Sequence, residues 1–201
     1  MRKIVRPFFL FFLMMLQLGL RPTAATGQVF VAVMGGSAAL SAAASAQANP
    51  AVAANYQANV SGAFNAEVGY HLNDWFSVRG GYIWNENRIV TTTVGSGTFG
   101  QVSALRKQDA FSGELLLYFR QRKSWVRPYL TAGPAWVWFG PGTKIGLRVA
   151  VGVDVVSKAG WGLRYSFSEV MSGNPFAETL APPASTNLMN FQNLFGVVKV
   201  F

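Results

Sequence analysis

Beyond its first sixty residues the chain alternates. Phe64, Ala66, Val68, Tyr70 and Leu72 take one side of an extended segment while Asn65, Glu67, Gly69 and His71 take the other, which is the period of two that belongs to β-strands. The pattern recurs in Phe76, Val78, Gly80, Tyr82 and Trp84, in Phe111, Gly113, Leu115, Leu117 and Phe119, in Ile145 to Val155, and in Trp161, Leu163, Tyr165 and Phe167. Three further strands are expected at Val29–Ser37, Val126–Trp138 and Phe191–Phe201, which makes eight. Pro128 and Pro134 make the fifth strand the least regular, since proline lacks a ladder donor, but its Trp and Tyr residues keep it β-prone.

The connections alternate in length. Ala38–Asn59, Glu86–Lys107 and Glu169–Asn190 each run about 22 residues, against the usual two to six. Asn73-Asp74, Gln121–Ser124 and Ser157–Gly160 are tight turns, and Phe139–Thr143 is short although it lies on the long-loop side. Long loops at one end and short turns at the other describe a membrane β-barrel with extracellular loops and periplasmic turns. The first long connection, rich in alanine, is expected to be mobile or a marginal helix.

The charges indicate which face meets lipid. Glu67, Arg79, Glu114, Arg148, Asp154 and Arg164 all fall opposite the large apolar residues, as does Arg127 if its strand keeps one parity. Charged residues make up 12% of the chain, where a soluble domain carries about 25%. Such sparse charge would make a poor water-facing exterior for a lipocalin-like carrier but suits a narrow polar lumen. A turn centred on Asn73 puts Glu67 directly across from Arg79, and one centred on Ala159 puts Asp154 across from Arg164. These pairs, with Glu114 and Arg148, are the expected lumen charges.

Tryptophan placement adds a second test. Trp75, Trp125 and Trp161 follow the three short turns, whereas Trp84, Trp136 and Trp138 sit beside the long loops. Two aromatic girdles at two water interfaces are what an outer-membrane barrel requires. Lys199 departs from the apolar alternation of the last strand, so it either snorkels to the interface or marks a register off by one.

The N-terminal segment has a basic start (Arg2, Lys3, Arg6), an apolar run from Phe8 to Leu20 and small residues up to Gly27, the features of a cleavable signal peptide over 1–27. Its 13-residue apolar run is shorter than the roughly 20 residues of a spanning helix. Cleavage before Thr26 or Gln28 leaves a barrel domain, 28–201, and removing Arg2, Lys3, Arg6 and Arg21 lowers the net charge from +9 to +5. The basicity therefore predicts no nucleic-acid partner. An exported chain without cysteine has to be held together by something other than disulfides.

On this strand pattern, on Arg127-Pro128-Tyr129-Leu130-Thr131-Ala132-Gly133 and Gly152-Val153-Asp154-Val155, and on the terminal Phe201, the chain resembles the small eight-stranded outer-membrane barrels of the OmpA-barrel and OmpX-like group. The resemblance implies an all-β, closed up-and-down antiparallel eight-stranded transmembrane barrel in the outer membrane of a Gram-negative-type cell. It implies outer-membrane lipids and lipopolysaccharide as surroundings, a C-terminal strand ending at Phe201 that the barrel-assembly machinery recognises, and a monomer. Its functions range over envelope integrity, adhesion and surface binding, and the ligand is unknown.

Catalytic chemistry is sparse. His71 is the only histidine and falls beside a short turn, away from the outer leaflet where lipid A-modifying barrels, by resemblance, use a His and a Ser. Without cysteine and with scattered acids, no metal or other cofactor is expected. Gly95-Ser96-Gly97-Thr98-Phe99-Gly100 lacks the lysine and helix of a phosphate loop and reads as a loop tip. The expected function is non-enzymatic, structural or surface-binding through three long extracellular loops. A narrow ion-conducting pore, a lipid A-modifying enzyme and, last, a soluble lipocalin-like carrier are the alternatives. A diffusion porin would need about 16 strands.

Overall fold

The structure is a computed structural model that describes residues 28–40, 44–49, 52–95, 98–139, 142–173 and 187–201. The expected signal peptide lies outside these residues. Ten strands form one antiparallel sheet: β1 (Gln28–Leu40), β2 (Ala44–Asn49), β3 (Val52–Ala58), β4 (Ser61–His71), β5 (Phe76–Gly95), β6 (Thr98–Tyr118), β7 (Val126–Phe139), β8 (Gly142–Val156), β9 (Trp161–Gly173) and β10 (Asn187–Val200). Their order is β2-β3-β5-β4-β1-β10-β9-β8-β7-β6, and β6 returns to pair with β5. Eight strands, β1 and β4–β10, thereby close on themselves. Closure leaves no edge in the wall, so every backbone group there has a ladder partner available without water.

Two of the expected long loops are strand instead. From Glu86↔Lys107 to Gly95↔Thr98 the β5 and β6 ladder continues unbroken through the segment expected to be a loop. Its β-branched run Ile89-Val90-Thr91-Thr92-Thr93-Val94 favours extended backbone. The first long connection, expected as mobile or helical, contains β2 and β3. β3 lies along the outer half of β5, from Val52↔Gly95 to Ala58↔Ile89. With β5 running 20 residues where about 9–11 cross a bilayer, the outer half of this hairpin continues past the rim for roughly 30 Å measured along its strands. In the third long connection the ladder reaches Asn187↔Gly173, and 174–186 lie outside the described residues.

The outward face carries Leu115, Leu130, Leu147, Val151, Leu163, Phe167, Phe195 and Val197 in exposed positions, and the inward face buries arginine, glutamate and amide side chains. This is the inverse of a soluble barrel. The fifth barrel strand, β7, keeps one parity throughout and so places Arg127 inside. Its prolines act locally: the β6–β7 register skips Gly113 and Glu114, opposite Pro134 and Gly133. At Gly133 the neighbouring chain is so close that a Cβ would lie 2.0 Å from the Gly113 carbonyl oxygen. Lys199 keeps the outward register of β10, opposite Val31 and Trp161, so the strand is not shifted.

Candidate functional site

The lumen is filled in layers. At the turn end Phe30, His71, Leu116, Tyr118, Tyr129 and Val198 pack together. At the loop end Ile83, Ala110, Ala135, Val137, Val170 and Leu188 form an apolar layer, beside buried Asn85, Gln108 and Asn190. Between them lie the charges. Phe30, Met34, Ile83, Leu116 and Leu194 all point inward, so the lumen is less polar than alternation alone suggests.

The six charges expected in the lumen meet as one network. Arg79 Nη1 donates to Glu67 Oε2 at 2.9 Å and Nη2 to Glu114 Oε2 at 2.6 Å. Arg148 Nη1 lies 2.6 Å from Glu114 Oε1 and 3.4 Å from Glu67 Oε1. Arg164 Nη1 donates to Glu67 Oε2 at 2.8 Å, while its Nε and Nη2 clasp the two oxygens of Asp154 at 2.7 Å each. Ser112 and Thr131 donate to Glu114 at 2.6 and 2.8 Å, and Tyr118 donates to Asp154 at 3.0 Å. Contributions from β4, β5, β6, β8 and β9 therefore tie opposite sides of the wall together across the axis.

The register of one pair differs from expectation. Glu67 faces Gly81, and Arg79 faces Gly69 across β4 and Glu114 across β6. The β4–β5 turn is centred on Asp74 because Asn73 Oδ1 accepts the backbone N–H groups of Trp75 and Phe76, both at 2.8 Å, and adds residues to the turn. Glu67 and Arg79 are thus diagonal neighbours, and their long side chains span the offset. Asp154 and Arg164 are directly opposite, as a turn centred on Ala159 requires. Arg120 lies past the end of β6 and is exposed.

The tryptophans take outward positions at both ends. Trp75, Trp125 and Trp161 are exposed at the turn end, Trp136 is exposed and Trp84 and Trp138 half-buried toward the loops. Lys199 Nζ donates to the Ala159 carbonyl at 2.8 Å and lies 5.0 Å above the Trp161 ring, so its charge is directed along the rim. Phe201 is exposed, and its backbone N–H donates to Val29 O at 2.9 Å, seating the C-terminus against β1.

Residues 29–194 match the family described as the outer membrane protein beta-barrel domain. The chain belongs to this family. Its place is the outer membrane, and the apolar belt around the barrel is the surface that meets lipid there. Among solved structures, OprG of Pseudomonas aeruginosa is similar at a TM-score of 0.56 and 14% identity, covering 87% of this chain and 96% of that one. Neisserial surface protein A is similar at 0.55 and 17%, covering 88% and 97%. The N-terminal barrel domain of OprF from Pseudomonas aeruginosa is similar at 0.51 and 12%, covering 87% and 99%. At these identities the likeness concerns the fold. No curated protein sequence matches the chain.

One contact was not foreseen: His71 Nδ1 lies 2.6 Å from Ser77 Oγ. A Ser–His pair invites a catalytic reading, but His71 Nε2 has no partner among the described residues, where a triad would place an orienting acid. Both residues are buried inside the turn end, and the His71 ring packs against Phe30. The alternation that placed His71 on the lumen face places Ser77 there too, and the turn between them brings the two together.

Proposed function

We propose that this outer-membrane barrel is a non-enzymatic surface-binding protein whose working part is the projecting sheet β2-β3-β5-β6. The observation that carries the reading is the unbroken ladder from Phe76↔Leu117 in the wall to Gly95↔Thr98 at the tip, broadened by β3 and β2. A lumen crossed by paired arginines and carboxylates serves to hold the platform rather than to pass solutes. The outer hairpin carries Arg88, Arg106 and Lys107 against Glu86, which favours an anionic surface as the binding partner. Lipid and lipopolysaccharide surround the wall, the C-terminal strand with Phe201 serves as the assembly signal, the two tryptophan sets act as girdles, and the barrel works as a monomer.

The test replaces residues 87–106 by an Asn-Gly turn and compares cells displaying either protein on heparin-coated plates. The shortened barrel is expected to keep heat-modifiable gel migration and to lose retention on the plates. Equal retention, or a steady unit conductance of the intact protein in planar bilayers, would replace this reading by a structural or pore role respectively.

A further inference from the structure

Four arginines and three carboxylates are buried in the described part of the lumen: Arg79, Arg127, Arg148 and Arg164 against Glu67, Glu114 and Asp154. The unmatched cation is Arg127. It stands second in β7, at the turn-end mouth, directly across from Asp154 on β8. Asp154 is also directly across from Arg164 on β9, and it gives both oxygens to Arg164. Arg127 is left with its guanidinium 3.8 Å above the Tyr118 ring, which holds one face of the group but fills none of its donors.

The donors left over form a matched set. Arg127 Nε and Nη2 are buried and have no hydrogen-bond partner among the described residues. These two N–H groups lie parallel along one edge of the guanidinium, the edge that grips two oxygens of a carboxylate or phosphate side by side. Arg164 uses that same edge on Asp154, the residue directly across from Arg127. His71, whose ring is 5.6 Å from Tyr118, adds a third buried nitrogen without a partner, Nε2. Buried donors in native proteins are almost always satisfied, and an ionised one most strongly demands it.

We propose that Arg127, stacked on Tyr118 and flanked by His71, forms an oxyanion site at the periplasmic mouth of the lumen, whose ligand is a phosphate group. A singly charged anion there balances the one unmatched arginine. The phosphate comes either from free phosphate in the periplasm or from the headgroup of an anionic phospholipid in the adjoining leaflet.

The protein is titrated with sodium phosphate in dodecyl maltoside micelles at ionic strength held constant with chloride, by calorimetry. In parallel it is released from nanodiscs of mixed phosphatidylcholine and phosphatidylglycerol and weighed intact by native mass spectrometry. Arg127→Gln, which touches no hydrogen bond of the central network, is expected to weaken the interaction at least tenfold. Arg127→Lys, which keeps the charge and loses the paired edge, falls between. Saturable heat with phosphate identifies the free anion, and selective retention of phosphatidylglycerol without such heat identifies the headgroup. Binding in neither arm, or binding unchanged in a folded Arg127→Gln protein, overturns the proposal.

Discussion

Replacing Glu114 by glutamine removes one charge from the centre of the lumen with almost no change in shape. In the native network Glu114 accepts from Arg79 Nη2 and Nε at 2.6 and 3.2 Å, from Arg148 Nη1 at 2.6 Å, and from Ser112 and Thr131. Without that charge Arg79 keeps Glu67, but Arg148 retains only a 3.4 Å contact with Glu67 and another at 3.4 Å to Ser168. The buried excess of arginine over carboxylate rises from one to two. Breaking a buried pair from one side costs about 3–5 kcal/mol because the partner's charge stays buried. Glu114→Gln should therefore destabilise the barrel by about 3 kcal/mol, read as a lower urea midpoint of tryptophan fluorescence in phospholipid vesicles. Adding Arg148→Met to Glu114→Leu should recover most of the loss, since replacing a whole buried pair by apolar groups is often neutral. Glu86→Ala, which removes a rim contact with Lys107 at 3.8 Å, sets the scale of a surface pair, about 0–1 kcal/mol. A Glu114→Gln loss no larger than that of Glu86→Ala would refute the idea that the network braces the wall.

Two further outcomes are expected. Single-tryptophan variants retaining Trp125 or Trp136, reconstituted with lipids brominated at different depths, should both be quenched most by shallow bromines, and strongest quenching at the bilayer centre would remove the girdle role. Gly133→Ala should lower the fraction of protein reaching the heat-resistant folded band, because its Cβ meets the Gly113 carbonyl oxygen; a misfit of this kind costs about 1–3 kcal/mol, and an unchanged fraction would show that β6 and β7 have slack there.

The fold was legible because one face of each wall strand is committed to lipid, which enforces the period of two that Phe64–Leu72 and Trp161–Phe167 display. The charges in the lumen followed from the same parity. Three things were not legible. The turn after β4 depends on an Asn73 side chain capping two N–H groups, and that contact shifts the register of Glu67 by two residues. Asp154 faces an arginine on each side, and only the arrangement of side chains selects Arg164 over Arg127. The projecting half of β5 and β6 reads as loop in the sequence because its alternation is of threonine, glycine and serine rather than leucine. The β-branched run Ile89–Val94 was the signal available for it.

The long hairpin also has a mechanical meaning. Its tip is continuous with the wall, where β5 is held along nine registered pairs by β4 and β6 is held by β7. A load drawn outward from the tip runs parallel to the strands and strains those flanking hydrogen bonds together instead of peeling them one at a time. Arg79 and Glu114 sit opposite each other in that same hairpin, so their cross-braces share the load. Under the surface-binding role proposed above, the projection would act as a tether anchored in shear.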